Sequence, residues 1–234
     1  MSLPSRLDAL KDLPLSTFRA KLWPHNDSCF KISGPTDDES WRLQLRTSEG
    51  LSDAEFTSCF SLVRETSAAD YKASPDGWHP VKKRKEMRLR DMRYILLGRA
   101  SLRQPEGGPC LPVDGFLSFM LTWEDGIEVI YCYEIHLDEH VRGRGMGKRL
   151  MGCLEEVGRK AEVKKAMLTV FKKNKAAVKF YERLGYGEDE FSPRPKKLRN
   201  GVVKELDYLI MSKSLISGTK NREKERQRKR KAAG

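Results

Sequence analysis

The stretch HVRGRGMGKRL, residues 140–150, sets three glycines and four bases between a β-rich run, IEVIYCYEIHL, and a pattern in which Met146, Leu150, Leu154 and Val157 recur at helical spacing. A strand that passes through glycines directly into a helix leaves unpaired backbone N–H groups at the helix's positive end, an arrangement suited to a pyrophosphate. Gly145 and Gly147 allow a close backbone approach, and Arg142, Arg144 and Lys148 add charge. An arginine-glycine tract for nucleic acid would repeat and would not run into a well-made amphipathic helix. The spacing matches neither a dinucleotide fingerprint nor a P-loop.

Upstream, GFLSFMLTWED and IEVIYCYEIHL read as an antiparallel pair turning at Asp125 and Gly126. Downstream, KAMLTVF is a short apolar strand, NKAAVKFYERLGYGEDE a helix with Asn174 near its cap and Gly185 at its stop, and KELDYLIMSKSL a last strand. Gly158 is expected to weaken the far end of the helix after the glycine run. Toward the N-terminus, Ser52 and Glu55 form a capping box before Phe56, Cys59, Phe60 and Val63 at i, i+3, i+4, i+7, an amphipathic helix. KASPDGWHPVKK interrupts, EMRLRDMRYILLGRA ends as a strand, and RQPEGGPCLPVD is a turn. The order of elements indicates a mixed α/β sheet with helices on its faces.

The 234 residues carry a formal net charge of +12, which points to an anionic partner. Half of that charge lies in the final segment, TKNREKERQRKRKAAG, where eight bases face two acids. A solvated tail and an import signal or nucleic-acid or ribosome contact stand at even weight there. Five separated cysteines without a Cys-x-x-Cys pair fit a reduced intracellular protein, and four histidines without thiolate spacing lead us to expect no metal site. No apolar run has membrane-spanning length and no secretory block opens the chain, so nucleus and cytoplasm are the expected locations and no membrane partner is expected.

RGRGMG is similar to the Arg/Gln-x-x-Gly-x-Gly/Ala coenzyme A pyrophosphate motif of the GCN5-related N-acetyltransferases, and NKAAVKFYERLGY to their Asn-x-x-Ala-x-x-x-Tyr-x-x-x-Gly-Phe/Tyr signature. Within that superfamily, EVIYCYEIHL, AMLTVFKKN and DGWHPVKKRKEM resemble the N-alpha-acetyltransferase D family, over about residues 52 to 215. The resemblance implies a mixed, mostly antiparallel central sheet flanked by helices, with an N-terminal helical extension at 1–51, an acetyltransferase domain at 52–216 and a basic tail at 217–234. It implies acetyl transfer from acetyl-CoA, by direct attack in a ternary complex, to the α-amine of histone 4 and histone 2A, which begin Ser-Gly-Arg-Gly. It places coenzyme A on Ile135, His136, Leu137, Arg142, Gly143, Arg144, Gly145, Met146, Gly147, Lys148, Asn174 and Tyr181.

A cationic histone tail would be repelled by the bulk charge, but Leu121 to Glu139 holds six acids (Glu124, Asp125, Glu128, Glu134, Asp138, Glu139) and no Lys or Arg. Of these, Glu128, Asp138 and Glu139 read as surface residues. An α-amine titrates near pH ~8, so a carboxylate can take its proton, directly or through a water. Glu134, in an apolar strand, is the candidate base. Strict alternation would send Tyr131 and Tyr133 to one face and Cys132 and Glu134 to the other; a bulge reconciles them, as the family implies. The resemblance assigns peptide contacts to Tyr71, Glu124, Tyr131, Tyr133, Glu134 and Tyr208, with three tyrosines around the first serine and Glu124, with Asp125, on the third-position arginine.

Two departures, Pro75-Asp76 in place of a family tryptophan and Thr122 in place of an aspartate, leave the individual peptide contacts open, and Trp78 reads as packing. Tyr133 joins Glu134 and Tyr181 in the catalytic set; Tyr181 fits equally a donor to the departing thiolate and a core position, and Asn174 a cap, a coenzyme A contact or both. Cys132 has no histidine partner in sequence and is rejected as a nucleophile. The competing readings are a lysine or polyamine acetyltransferase, and a non-catalytic nucleic-acid or ribosome-binding module.

Overall fold

Asp125 and Gly126 both adopt positive φ, 48° and 76°, the turn conformation whose twist suits a two-residue hairpin. The sheet spreads to both sides of that hairpin. The computed structural model describes residues 5–24, 30–32, 39–99, 108, 110, 112–197 and 203–216. In chain order these form α1 (Arg6–Lys11), α2 (Leu15–Leu22), β1 (Phe30–Ile32), β2 (Glu39–Thr47), α3 (Asp53–Lys72), α4 (Pro80–Met87), β3 (Arg93–Arg99), β4 (Gly115–Glu124), β5 (Ile127–Leu137), α5 (Met146–Lys160), β6 (Lys165–Phe171), α6 (Lys175–Arg183), β7 (Gly187–Glu188), β8 (Lys196–Lys197), β9 (Val203–Lys204) and β10 (Tyr208–Ser214). The main sheet runs β1-β2-β3-β4-β5-β6-β10-β7. Every pair is antiparallel except β5 and β6.

Local signals place the helices. The Ser52 hydroxyl accepts from Glu55 N while the Glu55 carboxylate accepts from Ser52 N, so the capping box starts α3 as expected. Pro80 at the first turn begins α4, where a missing N–H costs nothing. One face of the sheet packs on α1, α2, α5 and α6 around Phe18, Trp41, Phe119, Leu150 and Leu154; the other packs on α3 and α4 around Phe56, Phe60, Met87 and Phe116.

The first fifty residues, expected to be a helical extension, include more than helix. Strand β2 pairs with β3 over seven residues, and Leu7, Phe18, Leu22, Trp41, Leu43 and Leu45 share one core with α5. The Arg6 guanidinium donates to Ala161 O at 2.7 Å and pairs with Glu128 at 2.5 Å, tying α1 to the far end of α5 and the start of β5. A boundary at residue 51 therefore marks no break in packing. The basic segment from 217 onward, like the turn at RQPEGGPCLPVD apart from its positions 108, 110 and 112–114, lies outside the described residues.

Gly158, expected to weaken α5, is instead where α5 comes closest to the sheet. A Cβ there would stand 2.5 Å from Leu215 Cδ1 and 2.8 Å from Ile130 Cγ2, whereas one at Gly152 would meet nothing. We predict that Gly158→Ala destabilises the fold by about 1–3 kcal/mol through overpacking, and that Gly152→Ala stabilises it by up to about 1 kcal/mol. Urea unfolding of the two variants should give opposite signs although both favour the helix by propensity.

Candidate active site

The glycine run lies across the open end of a split in the sheet. Strands β5 and β6 pair in parallel only from Val129–Cys132 against Lys165–Leu168, and from Tyr133 onward β5 has no β6 partner. A cavity of about 790 Å³ occupies the gap, walled by Cys132 to Leu137 of β5 and Leu168 to Phe171 of β6. At its mouth Gly143 and Gly145 take φ of +74° and +79°, and a Cβ on either would meet nothing within 4 Å. Gly145 caps α5 without a side chain, so the first-turn N–H groups of this 15-residue helix carry its positive end. Gly147 also lines the cavity and leaves room for Phe180, since a Cβ there would stand 3.0 Å from that ring.

Ile135, His136, Leu137, Arg142, Gly143, Gly145, Met146, Gly147, Lys148, Asn174 and Tyr181 all line this cavity; Arg144 is exposed and does not. The Arg142 guanidinium donates from Nε to Leu137 O at 3.0 Å, which closes the loop against its strand. The Asn174 side chain accepts from Ala177 N at 3.1 Å, so it caps α6 while facing the cavity. Tyr181 is buried, and burial, then the nearby Cys132 and Glu134, pushes its phenol well above the ordinary value. It keeps its proton at neutral pH. Burial also raises the Cys132 thiol, with Glu134 adding to the shift, which leaves that sulfur unreactive.

The bulge expected in β5 is present. Ser118 faces Glu134 across the β4–β5 ladder and Phe119 faces Cys132, leaving Tyr133 as the extra residue. Cys132 consequently enters the α5-side core, while Tyr133 packs with the α3-side cluster and Glu134 reaches Lys83 of α4 on that same side. A second cavity of about 470 Å³ opens there, lined among others by Tyr71, Trp78, Lys83, Glu86, Glu124, Tyr131, Tyr133 and Tyr208. The two cavities share Tyr71, Cys132, Tyr133, Thr169 and Phe171 as a common wall. The Tyr131 and Tyr133 rings meet at 5.3 Å between centroids, tilted by 53°, and Tyr131 is hydrogen-bonded to Thr169 at 2.5 Å. Trp78 packs on Phe60 and Tyr71 and also borders this cavity.

Glu134, which lines the larger cavity and not the smaller, is the most constrained group beside this wall. Its Oε1 accepts from Lys83 Nζ at 2.9 Å, and its Oε2 lies 2.6 Å from His136 Nε2. Lys83 also donates to Glu86 at 2.9 Å and to the Tyr71 hydroxyl at 3.0 Å. Burial alone would raise the Glu134 carboxyl, but the His136 hydrogen bond and charge, then Lys83, outweigh it and hold the group at about 2. Burial likewise opposes the Lys83 charge, and Glu134, Tyr71 and Glu86 together keep its ammonium above the ordinary value.

The six acids counted between Leu121 and Glu139 do not form one face. Glu128 pairs with Arg6, Asp138 pairs with His140 and caps the turn before the glycine run, and Glu134 is committed inside. Asp125 sits in the hairpin turn outside the cavity lining, and only Glu124 of the six lines the smaller cavity. Burial, then the charge of Asp125, raises the Glu124 carboxyl above its ordinary value. Lys83 and Glu86 were absent from the sequence reading; the interrupted stretch that holds them offers no periodic signal that one lysine turns inward. Among the described residues no group of His, Cys, Asp and Glu has metal-binding geometry, and no helix is long and apolar enough to cross a membrane.

Comparison with known proteins finds the acetyltransferase (GNAT) family profile at residues 74–186. N-alpha-acetyltransferase 40 of Saccharomyces cerevisiae is 36% identical over 98 residues, 34% of this chain and 34% of the relative. An uncharacterised N-acetyltransferase of Methanocaldococcus jannaschii is 37% identical over 79 residues, 32% and 35% of the two chains. The chain thus spans about a third of the length of the curated relatives it matches. Among solved structures, an acetyltransferase of Streptococcus agalactiae superposes with a TM-score of 0.51 at 13% identity, over 74% of this chain and 98% of that one, a likeness of fold.

The buried pair yields a stability prediction. Lys83→Met leaves Glu134 with one partner fewer and should destabilise the protein by about 3 kcal/mol at pH 7. Because the folded Glu134 value lies below its ordinary 4.5, the stability it confers is complete above 4.5 and is lost as pH falls toward about 2. The gap between wild type and variant in denaturant titrations should therefore narrow across that acidic window.

Proposed function

Because the chain belongs to the acetyltransferase (GNAT) family, we propose that it transfers the acetyl group of acetyl-CoA to the N-terminal α-amine of a protein, with the Ser-Gly-Arg-Gly starts of histone 4 and histone 2A as acceptors. The observation that carries this reading is the common wall between the two cavities, which brings a donor in the sheet split and an acceptor from the α3–α4 side together at Tyr133 and Cys132.

The larger cavity suits coenzyme A: an uncapped helix terminus and a side-chain-free glycine cradle meet a pyrophosphate, with Arg142 and Lys148 beside it. The donor supplies an activated thioester, so the protein's work is alignment and proton handling. Backbone N–H groups of β5 beyond Cys132, released from β6, are available to the oxygen that gains charge during attack. Tyr181, holding its proton, is the donor to the departing sulfur. Tyr131, Tyr133 and Tyr208 enclose a small first residue, and Glu124 meets a guanidinium two residues on; burial and Asp125 raise its pKa and, among the described residues, it has no counter-charge, which leaves it ready for a charge-assisted pair. Glu134, beside the common wall on the larger cavity's side, meets the amine as an ionised carboxylate at neutral pH. A carboxylate held this low is a weak resting place for a proton from an amine of pKa ~8. Glu134 thus conducts the proton and holds it only in passing.

Mass spectrometry of a Ser-Gly-Arg-Gly-Lys peptide after incubation with acetyl-CoA is expected to find one acetyl group, on the α-amine, and no product from a peptide whose α-amine is blocked. Acetylation at the lysine would overturn the assignment. Glu134→Gln should lower kcat by about 10²–10⁴. Glu124→Gln should raise KM about tenfold for this peptide and leave an Ala-substituted third position nearly unaffected.

A further inference from the structure

His136 makes one contact at each ring nitrogen. The Thr66 hydroxyl has a single hydrogen and two acceptors within reach, Leu62 O at 2.7 Å and His136 Nδ1 at 2.5 Å. When that hydrogen goes to Leu62 O, the hydroxyl oxygen accepts from an Nδ1–H. With the tautomer set in this way, the 2.6 Å contact between Nε2 and Glu134 Oε2 holds one further proton, because two lone pairs do not approach so closely. Glu134 and His136 hold that proton jointly, and it leaves or returns as a property of the pair.

We propose that His136 is the positioning residue at which the proton taken from the substrate amine comes to rest, reached through the Glu134 carboxylate, with Thr66 holding the imidazole in the one neutral tautomer able to accept at Nε2. This rests on the acetyl-transfer reading above. In the receptive state the pair is a carboxylate beside a neutral imidazole bearing hydrogen on Nδ1. The substrate ammonium gives one proton to Glu134, which relays it to Nε2. The neutral amine forms the N–C bond as the C–S bond breaks, and the second nitrogen proton balances the sulfur, which leaves as a thiol. The pair then returns its proton to solvent.

The groups around the pair are few. Tyr71 of α3 approaches Glu134, Lys83 and Glu86 of α4 supply one charge of each sign, the Phe116 ring of β4 lies 5.5 Å from the imidazole with Tyr94 of β3 tilted against it, and Cys132 of β5 and Tyr181 of α6 feel the Glu134 charge. Burial and neighbouring negative charge push the three phenols and the Cys132 thiol upward, so none of them exchanges a proton at neutral pH. The imidazole is the member of this set able to receive one.

The test combines ¹⁵N NMR of His136 with the pH profile of kcat at saturating peptide and acetyl-CoA. Expected are a protonated Nδ1 at every pH, a titrating Nε2, and a kcat limb at the same midpoint. His136→Gln retains a donor to Glu134 but cannot take up a proton; it should lose that limb and at least about tenfold in kcat. Thr66→Ala leaves the ring in place and frees the neutral tautomer to put its hydrogen on Nε2; it should lower kcat with little change in KM. An unchanged limb in His136→Gln, or a hydrogen on Nε2 alone in the neutral wild-type ring, would overturn the proposal. Absence of α-amine acetylation by the wild type would instead defeat the acetyl-transfer reading, while the NMR result would still report on the pair.

Discussion

One extra residue in β5 organises the whole site. Without the bulge at Tyr133, the pairing of Phe119 with Cys132 would carry Glu134 onto the α5-side core, where Leu117, Leu121 and Ile130 offer no partner for a carboxylate. An unpaired buried charge there would cost several kcal/mol. The bulge turns Glu134 toward α3 and α4, where a lysine and a histidine wait for it. The same irregularity begins the stretch of β5 that has no β6 partner, so the residue that redirects the carboxylate also opens the cavity beside it.

The charge at this wall is nearly self-cancelling. Lys83 stands against Glu134 and Glu86, with His136 on the second Glu134 oxygen, and the rings of Tyr71 and Phe116 pack beside the cluster. Such compensation lets charged groups remain inside the protein, and it makes the Glu134 carboxylate a weak base on its own. An acidic count along the chain therefore overstates the attraction offered to a cationic peptide. What remains available is local: Glu124 at the rim, with Asp125 in the adjoining turn.

Much of this architecture is readable from residue order. The two-residue turn at Asp125-Gly126, the Ser52–Glu55 capping box, the Asn174 cap and the glycine run before α5 are each local signals, and each forms the element expected. Strand β2 went unread although Trp41, Leu43 and Leu45 alternate at period two, because buried Arg42 and Gln44 also fit a surface segment. Gly158 misled in the opposite way. Helix propensity weighs a glycine against its own helix, and the decisive contacts there come from Ile130 and Leu215.

Sequence alone determined most of the strands and helices from residue 52 onward, where a phosphate-bearing ligand would find free N–H groups, and that an acidic side chain stood out of place in an apolar strand. These follow from periodicity, caps and glycine conformation, whose causes lie within a few residues. Only the tertiary structure decided that Lys83, fifty-one residues from Glu134, would turn inward to meet it, and that Thr66 would come within hydrogen-bond reach of His136. Ion pairs and tautomers depend on which atoms face each other after the sheet has closed, and no local pattern encodes that distance.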